Sequence, residues 1–140
     1  MELEVSTTIR RPVAAVWDFC AVHHVENHPR WDPDIQLEDP QEGPIGVGSV
    51  IRRRSIRFEP PTEGTMEITE FEPGRAMRTT THDGAMTIHG WLLLAARGPE
   101  ATQLTLGAEF PEVDASMADR IKPLMERSAA NIKALIEHET

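Results

Sequence analysis

Cysteine and basic side chains are scarce in this 140-residue sequence, and tyrosine is absent. The single cysteine, Cys20, excludes a disulfide framework and favours a reducing compartment, so we expect a cytoplasmic protein. The absence of tyrosine removes the phenolic hydroxyl from the candidate acids. With 14 basic and 23 acidic residues the formal net charge is -9, which disfavours binding to nucleic acid or to an anionic membrane surface.

The sequence has no apolar run long enough to cross a bilayer. Its first residues alternate between apolar and polar side chains instead of forming the apolar segment of a secretory signal. A chain of 140 residues suffices for one hydrophobic core and is too short for two typical domains, and no repeat or linker divides it. We therefore predict one domain over residues 1–140, without membrane insertion.

A half-buried strand leads directly into a short amphipathic helix near the N-terminus. Residues 3–9 alternate between apolar and polar side chains, which is the period of a strand with one buried face. Pro12 then suits the first helical position because it has no N–H to satisfy and a preset φ. From there to Cys20 the apolar side chains fall on one helical face. A second short helix is predicted over residues 22–27, and Pro29 is expected to end it.

The middle of the chain is divided by turn signals rich in proline and glycine. This pattern predicts a meander of antiparallel strands, six or seven with the N-terminal strand included. A final helix follows, with apolar residues on one face and Pro123 expected to kink or divide it. The predicted strands cover residues 49–58, 65–71, 76–82, 85–96 and 102–110, and the final helix covers residues 114–137.

Several short motifs occur in a fixed order along the chain. They are Val16-Trp17-Asp18-Phe19, Trp31-Asp32-Pro33-Asp34-Ile35, Gly46-Val47-Gly48, Glu67 to Arg75, Ala101 to Leu106 and Asn131 to Glu137. This order resembles the START-like or SRPBCC superfamily, also called polyketide cyclase/dehydrase-like. The resemblance implies a single START-like domain with an α+β helix-grip fold. In that fold a curved antiparallel sheet of six to seven strands wraps around a long C-terminal helix, two short helices follow strand one, and a cavity lies between sheet and helix.

Strand parity predicts which side chains would line that cavity. In the last strand Leu104, Leu106 and Phe110 share one face, which we expect to point to the helix. The preceding strand is ambiguous because both of its faces carry large apolar residues, and parity favours Ile88 and Leu92 inward. Any of these side chains could instead be ordinary core. The candidate ligand-binding residues are Trp31, Arg53, Met66, Met77, Ile88, Leu92, Leu104, Leu106, Phe110, Met117, Ile121 and Met125.

Arginine is concentrated in Arg52-Arg53-Arg54 and Arg57, on a predicted strand. Side chains on a strand alternate between its faces, so this run does not form a basic stripe. One interpretation is cross-strand pairing with the acidic strand over residues 67–72, since exposed ion pairs are common. The other is that one arginine turns inward and binds a carboxylate of a ligand, with Arg53 as the candidate.

Histidine is the residue type to consider for acid and base chemistry. His23, His24 and His28 crowd the second helix. Glu26 is not placed as in a zinc-protease helix and no third ligand follows by spacing, so we predict no metal site. Surface histidines or a loop-anchoring hydrogen bond are expected, and His28 could lie at the cavity mouth. His89 lies in mid-strand and is the candidate catalytic acid or base if its face points inward, although parity favours an outward, inert position.

These features leave three classes of function open. The first is binding of a small hydrophobic or aromatic molecule in the cavity, with no cofactor. The second, implied by the superfamily's name, is a polyketide aromatase/cyclase or dehydratase that uses an inward His89 or one of Arg52, Arg53 and Arg54. The third is a protein-interaction module with an exposed patch near Trp91, which could also support a homodimer. Resemblance in fold does not distinguish these functions, because one fold can carry many different functional sites.

Overall fold

The computed structural model describes residues 1–57 and 59–139. No helix in these residues is long and apolar enough to span a membrane. The elements are β1 Glu2–Ile9, α1 Val13–Trp17, a π-helical turn Asp18–Val22, α2 His24–Trp31, β2 Ile35–Glu38, β3 Val50–Ser55, β4 Thr62–Glu72, β5 Ala76–Asp83, β6 Met86–Ala96, β7 Thr102–Glu109, a 3₁₀ turn Ala115–Met117 and α3 Ala118–Glu139.

The strands in the described residues form one antiparallel sheet in the order β1-β7-β6-β5-β4-β3-β2. From β2 to β7 each strand lies beside its predecessor in the chain, and β1 closes the far side by pairing with β7. The long helix α3 packs against β1 and α2. The predicted α+β helix-grip fold is therefore confirmed, including the two short helices after strand one.

The hydrophobic core fills one end of the space between the sheet and α3. Val16 and Cys20 are fully buried there, as the apolar face of the first helical segment predicts. The second half of α3 adds Ile132, which is also fully buried. In its first half, by contrast, Ile121 and Met125 remain half-buried. The core thus leaves the space under the first half of α3 unfilled.

Neither Pro29 nor Pro123 interrupts its helix. Pro29 does not end the second helix, because α2 includes it and continues to Trp31. A proline there removes one backbone hydrogen bond, while the Asn27 side-chain amide anchors the helix by donating to the Phe19 carbonyl oxygen at 3.0 Å. Pro123 does not divide the last helix, since α3 is continuous through it. The packing of its second half holds the helix, which begins after a 3₁₀ turn instead of at residue 114.

The predicted strand bounds differ from the structure around β3. The strand predicted over residues 49–58 ends at Ser55, and its predicted last residue, Phe58, lies outside the described residues. The short strand β2 precedes it and pairs with it, although the sequence pattern did not indicate it. Four residues are too few for alternation to be recognised as a strand.

The outer face of the sheet carries a row of side chains centred on Trp91. The Trp91 indole lies over Gly107 of β7, where an added Cβ would overlap the ring. Its Nε1 donates to a carboxylate oxygen of Glu4 at 2.8 Å. The guanidinium carbon of Arg78 lies 5.8 Å from the ring centroid, within the range of a cation–π contact. Trp91 thus has polar partners on the surface where the sequence suggested an exposed patch.

Candidate functional site

A cavity of about 200 Å³ lies between the first half of α3 and the inner face of β4 to β7. It occupies the part of the fold that the core leaves unfilled. Polar side chains from α2 and from the end of the sheet near β3 border one end of it. The apolar part of its wall consists of Met66, Met77, Ile88, Leu92, Leu106, Ala108, Phe110, Ile121, Leu124 and Met125.

The predicted ligand-binding residues lie on this wall with two exceptions. Leu104 is fully buried in the core beyond the cavity, because the inner face of β7 extends past the cavity. Met117 lies in the 3₁₀ turn before α3 and does not line the cavity. The predicted residues on the wall are Trp31, Arg53, Met66, Met77, Ile88, Leu92, Leu106, Phe110, Ile121 and Met125. Their role as ligand contacts remains a prediction.

His89 lies on the outer face of the sheet, opposite the cavity. Its Nδ1 is 3.3 Å from the hydroxyl oxygen of Thr80, its partner on β5. The neighbouring Ile88 and Gly90 border the cavity instead. Because side chains alternate along a strand, an inward Ile88 requires an outward His89. This position corrects the hypothesis that His89 is an acid or base inside the cavity.

Arg53 is the arginine of the run that turns inward. Its Nε donates to Oδ1 of Asp83 at 2.9 Å, and the two side chains are only 10% and 5% exposed. Gly64 makes this contact possible, because it pairs with both residues across β3, β4 and β5. A Cβ at Gly64 would lie 1.5 Å from the carbonyl oxygen of His82, so a larger residue would push β5 away. Arg53 therefore borders the cavity beside a buried counter-ion.

The two neighbours of Arg53 lie on the outer face of β3 and are exposed. Arg52 forms an ion pair with Glu38 at 3.2 Å. Arg54 approaches Glu63 at 4.0 Å. The run thus forms cross-strand ion pairs on the outer face and places one guanidinium inward, while the binding of a ligand carboxylate by Arg53 remains a prediction. The exposed pairs use β2 and the start of β4, not the predicted segment 67–72.

Arg57 lies at the polar end of the cavity, just after β3. Its Nη2 donates to both carboxylate oxygens of Asp32, at 2.7 and 2.9 Å. Asp34 is a second acidic partner, 3.4 Å from Nε. Burial by itself would lower the pKa of Arg57, but the two carboxylates outweigh it and the pKa is raised. Arg57 therefore remains charged and has its counter-ions beside it.

Trp31 is fixed at the same end by α2 and α3. The Asn131 side-chain amide on α3 donates to the Trp31 carbonyl oxygen at 3.1 Å. The Trp31 ring stacks on His28, with centroids 5.1 Å apart and planes inclined by 19°. Since Trp31 is buried, its ring forms a rigid aromatic surface beside the polar groups.

His24 and His28 form a hydrogen-bonded chain that begins at the backbone. Nδ1 of His24 lies 2.8 Å from the Cys20 carbonyl oxygen, which can only accept, so Nδ1 of His24 is the donor. Nε2 of His24 then accepts from Nδ1 of His28 at 2.9 Å. This network assigns Nε2 of His28 as an unprotonated acceptor. The anchoring hydrogen bond expected for this helix is present at His24, and His28 borders the cavity.

The surroundings keep both imidazoles uncharged at neutral pH. Burial lowers the pKa of His24 to about 4, with the Cys20 hydrogen bond opposing and the Arg53 charge adding to the decrease. Burial also lowers the pKa of His28 well below its usual value, followed by the charges of His24 and the arginines Arg53 and Arg57. The polar end of the cavity thus combines two guanidinium groups with two neutral imidazoles.

Asp32, Asp83 and His24 belong to this site but were not among the predicted site residues. Asp83 precedes a turn in the sequence, and only the register of three strands reveals that it pairs with Arg53. The spacing of His24 and His28 was the one available signal for the imidazole pair. The described residues contain no group of three or more histidine, cysteine or acidic side chains arranged to hold a metal ion.

Solved structures show the same fold at low sequence identity. Ara h 8.0201 superposes with a TM-score of 0.71 at 14% identity, over 97% of each chain. The Zhui aromatase/cyclase from Streptomyces sp. R1128 gives 0.73 at 16%, over 99% of this chain and 92% of that one. Norcoclaurine synthase from Thalictrum flavum, in complex with dopamine and hydroxybenzaldehyde, gives 0.71 at 15%, over 100% and 88%. At these identities the likeness concerns the fold alone.

A family match covers nearly the whole sequence. Residues 1–137 match the family described as "Polyketide cyclase / dehydrase and lipid transport", which confirms the superfamily resemblance seen in the motifs. No curated protein matches the sequence. The chain belongs to the polyketide cyclase/dehydrase and lipid transport family.

Proposed function

We propose that the protein binds a small, largely apolar molecule of one or two rings in the cavity, with an anionic or carbonyl oxygen of that molecule at Arg53. The supporting observation is the buried guanidinium of Arg53 at the polar end of a cavity whose remaining wall is largely apolar. Only its Nε is bonded to Asp83, and no described residue hydrogen-bonds its two Nη groups. A guanidinium with free Nη groups binds a carboxylate or carbonyl oxygen by charge-assisted hydrogen bonds.

The size of the cavity supports a ring-sized ligand. An engineered apolar cavity of about 150 Å³ binds benzene, and this cavity measures about 200 Å³. A single or fused ring system is therefore a better match than a long acyl chain. The family description includes lipid transport, whereas the norcoclaurine synthase complex holds the single-ring compounds dopamine and hydroxybenzaldehyde. The three methionines on the wall, Met66, Met77 and Met125, would adapt to the outline of such a ring.

The enzymatic alternative has less support. A cyclase or dehydratase needs an acid or base beside its substrate, and the outward position of His89 removes that candidate. The inward Arg53 is the other candidate, but a guanidinium has no acceptor atom and cannot act as a base. The lowered pKa values of His24 and His28 make both imidazoles weak bases at neutral pH. We therefore propose binding as the function of the cavity.

Titration calorimetry with 2-naphthoate tests this proposal through Arg53→Lys. Lysine keeps a positive charge near Asp83 but loses the planar fork of the guanidinium. We expect 2-naphthoate to bind the wild type and to bind Arg53→Lys about tenfold or more weakly, because charge-assisted hydrogen bonds are lost.

The matched control is Arg54→Lys, the next residue on β3, whose side chain is exposed on the outer face. This variant should bind 2-naphthoate as the wild type does. Equal affinities of the Arg53 and Arg54 variants, or a folded wild type that binds neither 2-naphthoate nor naphthalene, would contradict the proposal.

A further inference from the structure

We infer that the ligand carries a neutral hydroxyl group that donates a hydrogen bond to Nε2 of His28, an inference that rests on the proposed binding function. The feature behind it is the chain from the Cys20 carbonyl through His24 to His28. The last ring of this chain borders the cavity.

The direction of these two hydrogen bonds leaves the lone pair on Nε2 of His28 without a partner. The carbonyl oxygen fixes the single proton of neutral His24 on Nδ1, so Nε2 of His24 is an acceptor. Nδ1 of His28 must then carry the proton that it donates to Nε2 of His24. No described residue hydrogen-bonds Nε2 of His28. Because no unpartnered side-chain nitrogen or oxygen in the described residues is fully buried, this atom keeps accessible surface. It is therefore an acceptor that a bound molecule can reach.

The same two hydrogen bonds make His28 an acceptor of hydrogen bonds and not of protons. A proton taken up at Nε2 would stay on the imidazole pair, since the Cys20 carbonyl at the other end cannot take one. Burial and the charges of Arg53 and Arg57 oppose a third positive charge there. A donor bound at Nε2 therefore retains its proton.

The neighbouring charges select a hydroxyl over an ammonium donor. Arg53 and Arg57 are paired with Asp83 and Asp32, but both guanidinium groups still lower the pKa of His28, so they also disfavour a cationic donor at that ring. A hydroxyl is neutral, and its oxygen retains lone pairs that can accept from a guanidinium N–H. The Trp31 ring stacked on His28 adds a flat aromatic wall. Together these groups favour a hydroxylated aromatic ring, that is, a phenol or naphthol.

A pair of nearly isosteric probes, 2-naphthol and 2-methylnaphthalene, tests the inference by fluorescence titration. The quantity measured is the ratio of their dissociation constants, and its change from wild type to variant is free of their different solvation in water. We expect His28→Phe to lower the selectivity for 2-naphthol about fivefold, which is the net effect of one hydrogen bond. His23→Phe, an exposed position in the same segment, should leave the ratio unchanged.

Because phenylalanine at position 28 also leaves Nε2 of His24 without its donor, a second measurement uses the wild type. In two-bond ¹H–¹⁵N correlation spectra we expect Nε2 of His28 to be unprotonated and to move upfield with 2-naphthol but not with 2-methylnaphthalene. If 2-naphthol leaves this resonance unchanged while 2-naphthoate still binds, the hydroxyl inference is overturned and the proposed function stands. If neither compound binds, both fail.

Discussion

Asp83→Ala is expected to lower the free energy of unfolding by about 3–5 kcal/mol, because it removes the counter-ion of a buried charge. Nε of Arg53 is bonded to Asp83 at 2.9 Å, and the Arg53 side chain is only 10% exposed. Without the carboxylate, that charge stays in a partly apolar site with no acidic partner. The loss therefore reflects an uncompensated buried cation, not the value of one hydrogen bond.

Urea denaturation of matched variants checks this expectation. The control is Glu38→Ala, which removes the partner of Arg52, the residue next to Arg53, from an exposed ion pair. Exposed pairs contribute little, so this control should lose less than about 1 kcal/mol. Adding Arg53→Met to Asp83→Ala should recover part of the stability, because no unpaired charge then remains. A loss at Asp83 no larger than that at Glu38 would contradict the account.

Acidification is the second change with a large expected effect. The pKa of His24 is about 4 in the folded protein, compared with an ordinary value of 6.5. On acidification the unfolded chain therefore takes up a proton on His24 before the folded protein does. The contribution of neutral His24 to the free energy of unfolding is complete above pH 6.5 and is lost as the pH falls towards 4. The difference between the two pKa values corresponds to about 3 kcal/mol in the free energy of unfolding. His28, whose pKa is also lowered, acts in the same direction.

The measurement is the free energy of unfolding from urea titrations between pH 7 and pH 4.5. Carboxylates also titrate near the lower end, so the comparison is made between variants. His24→Phe should be less stable at pH 7 but should show a clearly flatter decline with falling pH. His23→Phe, which alters an exposed histidine, should keep the wild-type decline. Parallel curves for the wild type and His24→Phe would contradict the assignment of a buried neutral imidazole.

Local patterns in the sequence predict most of the fold. Turn signals and strand alternation mark the meander from β3 to β7, and the Pro12 signal marks the start of α1. The strand β2 was missed because four residues carry too little periodicity. Pro29 was overvalued as a helix breaker, and of the two effects expected of Pro123 the division of the helix does not occur, since tertiary packing tolerates the loss of one backbone hydrogen bond at each.

The candidate site is less predictable because it depends on register and on side-chain direction. Arg53 was a candidate, but its counter-ion Asp83 is 30 residues away and meets it only through the pairing of β3, β4 and β5. His89 was ambiguous because both faces of β6 carry large apolar residues, and the burial of one face cannot be inferred from composition. Leu104 shows the same limit, since parity gives its face but not which part of that face the core fills.

The most direct test of cavity binding is a methyl NMR titration of methionine-labelled protein with 2-naphthoate. The methionines provide an internal control, because Met66, Met77 and Met125 line the cavity. Met117, in the 3₁₀ turn, and Met86, at the start of β6, do not line it. We expect saturable shifts of the methyl resonances of Met66, Met77 and Met125 and little change in those of Met86 and Met117. Shifts confined to Met86 and Met117, or no shift at saturating ligand, would contradict a binding site between the sheet and α3.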